Sequence, residues 1–203
     1  MRPLPSLLLI SSLLLVACGD REESRVFTNN PEQPGVTVQS EVDAEIKELA
    51  KGKDPDDAKA SAAYDLARLR LERRGSTIEM SLIDALRTGD DWGVRLGCIE
   101  VLQSVGTRQC IEHLIAALQD DQPLVSFQAE MTLRVLTDHR ELPEAGKPTG
   151  PNGLPPLPVR AATDLGMDAE TRIWTTWHAA HHQALYDAWT AWWATAKKDT
   201  VIK

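Results

Sequence analysis

Residues 91–121 read DWGVRLGCIEVLQSVGTRQCIEHLIAALQDD, and this stretch decides the fold. Apolar residues recur at helical spacing on both sides of a break at 104–107. Val94, Cys98 and Leu102 lie before it; Leu114, Ile115, Ala117 and Leu118 lie after it. The spacing predicts two helices joined as a hairpin. A shift of 31 residues in either direction returns the first half of the pattern. Upstream, Ala63, Ala67, Leu71 and Gly75 take the places of Val94, Cys98, Leu102 and Gly106; downstream, Val125, Ala129, Leu133 and Thr137 do so. The second half repeats at 32, with Leu82, Ile83, Ala85 and Leu86 matching Leu114, Ile115, Ala117 and Leu118. Such a period marks a stacked array of two to three hairpins, because one hairpin cannot bury its own apolar face. The small residues Ala67, Cys98 and Ala129 let successive first helices approach closely.

The punctuation agrees. A helix over 57–74 is rich in Ala, Leu and Arg, with Ala63, Ala67, Leu71 and Arg74 on one stripe, Leu66 beside it, and Gly75 as its stop. A second helix is expected over 77–86, with Ile78, Leu82, Ile83 and Leu86 on one face and a break at 88–91. The acidic pairs Asp56-Asp57, Asp90-Asp91 and Asp120-Asp121 precede the first helix of each unit. They are placed to cap free N–H groups and complement the positive end of the helix dipole. Arg68, Arg70, Arg73 and Arg74 read as a basic strip, ordinarily a solvated face.

Residues 91–102, with Asp-x-x-Val-Arg followed by a small residue at Cys98, and residues 111–121, with Leu-Ile-x-x-Leu-x-Asp, resemble HEAT-like repeats of the short bacterial type. The resemblance covers about 55–138. It departs at Tyr64 and Ser126, which stand where the repeat arginine would be. It implies an all-α fold, a short α-solenoid, and a role as a protein-binding scaffold. Some relatives resemble chromophore lyases or isomerases of light-harvesting proteins, but no lyase site is matched here.

Outside the array the chain carries an address and appendages. Residues 1–17 hold one positive charge and a short apolar core, Leu7 to Val16, the layout of a secretory signal. The core is shorter than the ~20 residues of a membrane span. Leu15-Val16-Ala17-Cys18 resembles the lipobox of bacterial lipoproteins, which implies cleavage before Cys18 and its acylation by chains such as palmitate. Each buried CH₂ of such a chain adds about 0.8 kcal/mol of membrane affinity. Gly19, rather than Asp, then implies an outer-membrane anchor facing the periplasm. Residues 18–40 are polar, without sustained periodicity, and read as a tether spanning about 25 Å.

The repeats are assigned to 41–141. Residues 142–167 follow as a loop with prolines at 143, 148, 151, 155, 156 and 158. Leu154-Pro155-Pro156-Leu157-Pro158 suits polyproline II, and the preferred reading is a connector laid over the array. Residues 168–203 open on Asp168 and form the longest helical candidate. Five of six tryptophans lie here: Trp174, Trp177, Trp189, Trp192 and Trp193. A stripe Ile173, Trp177, Ala180, Ala184, Ala188 and Trp192 is expected, flanked by Trp189 and Trp193. The preferred reading is a helix capping the end of the solenoid; the other is an exposed aromatic binding surface. One helix face is not expected to bury all five indoles.

Composition limits the chemistry. The net charge of −8 becomes −9 once Arg2 is removed with the signal, which argues against nucleic acid as a partner. Three cysteines are too few for a disulfide scaffold or a four-ligand zinc module. Cys98 and Cys110 flank a turn at unequal heights, which disfavours their pairing and suggests a core Cys98 and a free Cys110. His178, His181 and His182 share a helix face, and with Glu170 or Asp187 they are the one candidate for a metal ion or an enzymatic site. The other reading is a polar, pH-responsive outer face. No His-Glu-x-x-His, Gly-x-Ser-x-Gly, phosphate loop or dinucleotide motif is present, so no catalytic residue or cofactor is assigned. The reading is an all-α, short HEAT-like α-solenoid of helical hairpins capped by a Trp-rich C-terminal helix. It is anchored in the envelope and binds a protein or peptide in the groove of its second helices, 78–86 and 111–118.

Overall fold

A computed structural model describes residues 38–53, 58–144, 146–150, 152–161 and 168–203. The signal segment, Cys18, most of the tether and Asp56-Asp57 lie outside the described residues. Within them the chain is all-helical: α1 (Val38–Glu48), α2 (Ala58–Arg74), α3 (Glu79–Thr88), α4 (Trp92–Val105), α5 (Ile111–Ala117), α6 (Pro123–Thr137) and α7 (Asp168–Ala196), with short 3₁₀ turns at Leu49–Lys53, Gly75–Ile78 and Arg108–Cys110.

Two layers stack. The first helices α2, α4 and α6 pack successively, as do the second helices α3, α5 and α7. The repeat positions Ala67, Leu71, Cys98, Leu102, Val125, Ala129 and Leu133 are all buried between the layers, as are Leu82, Ile83, Leu86, Leu114, Ile115 and Leu118. The small residues do what the period implies: Cys98 and Ala129 are fully enclosed where α4 meets its neighbours. The array is thus a short helical solenoid, and α7 occupies the second-helix place of the third unit.

Several details differ from the sequence reading. Gly75 has a left-handed φ of +63° and leads into a 3₁₀ turn, so the helix it ends is joined to α3 almost without a gap. Leu66 is exposed and Tyr64 is buried instead, its hydroxyl bonded to Glu100 of the next unit. Helix starts before the expected repeats: α1 opens at Val38, three residues inside the segment read as tether, and buries Val42 and Ile46. Leu49, just beyond it, is fully buried against Gly97 of α4, where an added Cβ would lie 2.8 Å from the Leu49 Cβ. No side chain other than hydrogen allows that approach unstrained.

The successive units are braced at both ends of their helices. At one end the guanidinium of Arg95 donates to both carboxylate oxygens of Asp120, at 2.7 and 2.9 Å, and to Asp121 at 3.2 Å. It also donates to the carbonyls of Gly89 and Asp90, at 2.9 and 3.2 Å. At the other end the buried Glu79 carboxylate accepts from the backbone N–H and the hydroxyl of Thr107, both at 2.7 Å. The acidic pairs therefore divide their work. Asp91 caps α4 by accepting from Gly93 N–H at 2.6 Å. Asp120 accepts from Gln122 N–H at 2.9 Å, but its main partner is Arg95, and the residue at the cap of α6 is Gln122. The basic strip on α2 is likewise divided, because Arg68 pairs with Glu72 and Arg74 with Glu41 and Glu45.

The described part of the segment after α6 packs against the third unit. Leu142 and Leu154 are buried, Asn152 donates to Glu141, and Pro155 offers its carbonyl to the Trp177 indole N–H at 3.1 Å.

Candidate interaction face

The tryptophans are the most conspicuous surface candidates in the sequence, and the structure withdraws them from solvent. Of the five in α7, Trp174, Trp177, Trp189 and Trp193 are buried and Trp192 is partly exposed. The buried face of α7 runs Trp174, His178, Leu185, Trp189 and Trp193, about one residue round the helix from the expected stripe. Ala180 and Ala184 are exposed. The alanines give helix propensity, whereas the rings hold the area whose removal from water sets the helix's rotation. One face does not bury all five indoles: Trp192 stays partly exposed, and the other four are covered by two bodies. Helices α5 and α6 take one side, and the strap at 152–158 takes Trp177.

The local chemistry fits the cap. Trp174 donates its indole N–H to Ser126 Oγ at 3.0 Å and meets Phe127 edge-on at 5.2 Å. Ser126, where the repeat arginine is missing, thus accepts the ring that closes the third unit. Trp192 stacks on His139 at 4.0 Å, with an interplanar angle of 4°. The aromatic-surface reading of Trp174, Trp177, Trp189 and Trp193 is corrected accordingly: they are the seal of the solenoid.

The histidines separate in the same way. His178 is buried, and its Nε2 lies 2.6 Å from the Leu118 carbonyl. A carbonyl only accepts, so that nitrogen carries the proton and has no lone pair for a metal. Burial lowers His178 from its ordinary imidazole value, against the opposing pull of the Leu118 carbonyl. His181 lies against Trp177, while His182 places Nδ1 3.2 Å from the His178 carbonyl. Among the described residues no three His, Cys, Asp or Glu side chains are grouped as a metal ion requires. The metal-site reading of His178, His181 and His182 is corrected on that ground, and the polar outer face is corrected for His178.

Cys98 and Cys110 are buried and unpaired. Burial pushes both thiols up to about 12, with the Glu79 carboxylate adding to the effect at Cys110. Neither can form a thiolate near neutral pH.

The two larger depressions lie where the second helices meet the turns, and two smaller ones, of about 260 and 320 Å³, border α7 beside Trp193 and Trp174. One of the larger pair, of about 660 Å³, lies between the end of α3, the start of α4 and α5, with Arg87, Trp92, His113, Gln119 and Asp121 on its walls. The other, of about 670 Å³, lies between α1 and α3 and adjoins the first across Gly89 and Asp90. Both border the side formed by the second helices. The apolar residues of 78–86 and 111–118 face inward, however, so this side meets solvent through polar groups and the exposed Met80. A pattern of inward apolar residues carries no signal for such depressions, and the turns that build them are legible only as breaks.

Comparison with protein families matches residues 79–145 to the model for HEAT repeats. No curated protein and no solved structure gives a significant match to the chain.

Proposed function

We propose that this chain is a lipid-anchored protein of the bacterial cell envelope and a non-catalytic scaffold. It would bind another protein through the depressions beside α3 and α5. HEAT repeats generally mediate protein–protein contact, and the match over 79–145 supports that general role. The observation that carries the choice of face is the fate of the other surfaces. The aromatic side of α7 packs on α5, α6 and the strap and keeps only depressions of about 260 and 320 Å³, whereas the turns at 88–91 and 119–122 frame open concavities of about 670 and 660 Å³. The thiols are un-ionised and the histidines are divided, which leaves the face without a nucleophile poised beside a base.

Anchoring rests on the sequence Leu15-Val16-Ala17-Cys18 and on Gly19, which support acylation at Cys18 and an outer-membrane position facing the periplasm. The Cys18→Ser variant should lose acyl labelling, and unchanged labelling refutes the anchor. For the scaffold, a photo-crosslinking residue placed at Gln119 of the full chain in intact cells should yield one recurring adduct. Yield at the level of an irradiated control lacking the probe residue refutes it.

A further inference from the structure

We infer that the trough between α1 and α3 receives a basic amphipathic helix of the partner, an inference that rests on the scaffold reading above. The trough is built from two helix faces. Asp43, Ile46 and Lys47 line it from α1, and Met80, Asp84 and Ala85 line it from α3. These positions recur at helical spacing on both elements, so the walls run along the two helices and offer the groove into which a third helix packs. At one end the side chains of Gln39 and Ser81 bond across it at 3.1 Å. At the other it opens past the turn at 88–91, with Val94 of α4 at its base.

Its floor and rim differ in character. Ile46 is buried beneath it, Ala85 and Val94 are half-buried, and Met80 stands 54% exposed on the lip. Methionine adapts to varied apolar partners, so an exposed one beside an apolar floor suits a helix's apolar stripe. The rim is acidic. Asp43, Asp84, Asp90 and Asp91 border the trough against the single cation Lys47. Arg87 lies 3.9 Å from Asp84 with both side chains more than half exposed, a pairing that leaves Asp84 open to competition. Among the described residues no cation pairs with the Asp90 side chain, and Arg95 takes its backbone carbonyl. An apolar stripe with lysines or arginines at its edges meets this arrangement on both counts. An acidic helix would place like charges together at the rim.

The test uses the full chain and two labelled synthetic peptides, acetyl-KLAKKLAKKLAK-amide and its counterpart with every lysine replaced by glutamate, followed by fluorescence anisotropy. The lysine peptide should bind at least about tenfold more tightly than the glutamate peptide, and added salt should weaken it. The double variant Asp84→Asn/Asp90→Asn should lower its affinity at least about fivefold. The control Asp187→Asn/Asp199→Asn removes the same charge from α7 and its end, and should leave affinity within about twofold. Equal loss in the two double variants, equal binding of the two peptides, or no binding of the lysine peptide overturns the inference. The Gln119 crosslink separates the two levels. A recurring adduct there, with the peptide result negative, removes the basic helix and keeps the scaffold; no adduct removes the scaffold.

Discussion

Replacing Arg95 tests whether the repeat arginine is a brace between units. In Arg95→Met the side chain keeps its length and loses five donated hydrogen bonds: two to Asp120, one to Asp121, and two to the carbonyls of Gly89 and Asp90. The Arg95 and Asp120 side chains are only 15% and 10% exposed, so the pair lies between two measured regimes. Exposed pairs contribute up to about 1 kcal/mol, and breaking a fully buried pair costs about 3–5 kcal/mol. Asp121 is 95% exposed and adds little. The expected loss is therefore about 2–3 kcal/mol, or roughly 5–10 °C in Tm for a folded region of this size. Arg95→Lys keeps the charge but not the fork, and should lose about half as much.

Thermal unfolding followed by circular dichroism provides the values, and a cycle with Asp120→Asn isolates the pair. A loss below about 0.5 kcal/mol, or no coupling in the cycle, refutes the brace. The acid limb gives a second readout. Burial raises the Asp120 carboxyl, but the Arg95 hydrogen bond, the Gln122 N–H and the guanidinium charge together hold it below its ordinary value. Its stabilising contribution is therefore complete above the ordinary carboxyl pKa of about 4 and is lost as pH falls through the lower folded value. That portion of the acid loss should disappear in Arg95→Met.

Three further outcomes follow from single sites. Glu130 is 1% exposed on its side chain, and burial pushes its carboxyl up to about 7 against the opposing pull of Arg134. A raised carboxyl favours the protonated folded state, so stability should fall from about pH 4.5 to 7, by on the order of 3 kcal/mol, and level off above. Glu130→Gln should flatten that limb in a pH series of urea unfolding curves, and an unchanged slope refutes the assignment. Gly97→Ala drives a Cβ into Leu49 and should destabilise by about 1–3 kcal/mol; a neutral result in thermal unfolding would mean that α1 and its 3₁₀ extension move aside freely. Cys98 and Cys110 should resist alkylation by iodoacetamide at pH 8 until the chain is unfolded, and rapid native labelling of either contradicts their enclosure.

The array was legible because its signal is periodic. Ala67, Cys98 and Ala129, and the Leu-Ile pairs at 82–83 and 114–115, are buried at the same places in successive units, and burial at fixed helical spacing is what a repeat encodes. The site was less legible for a physical reason. Depressions form between turns and between α1 and α3, from residues more than thirty positions apart such as Lys47 and Met80, and no local pattern ties them together. The tryptophan helix misled in a different way. Its alanines and indoles both recur at helical spacing, and only the position of α5, α6 and the strap decides which of the overlapping stripes turns inward.

The third unit explains why so much aromatic surface was needed. A repeat is covered by its successor, and among the described residues no further hairpin follows α6: the chain after Thr137 enters the strap, and α7 takes the second-helix place. The closing element must supply at one interface the area that a further hairpin would have supplied, and indoles carry the most area per residue. Ser126 marks the same change of role. An arginine there would have reached for the acidic turn of a next unit, as Arg95 does; a serine leaves room for Trp174 and accepts its N–H. The departure from the repeat pattern and the tryptophan run over sixty residues of chain are therefore one adaptation. It closes the third unit on its α7 side.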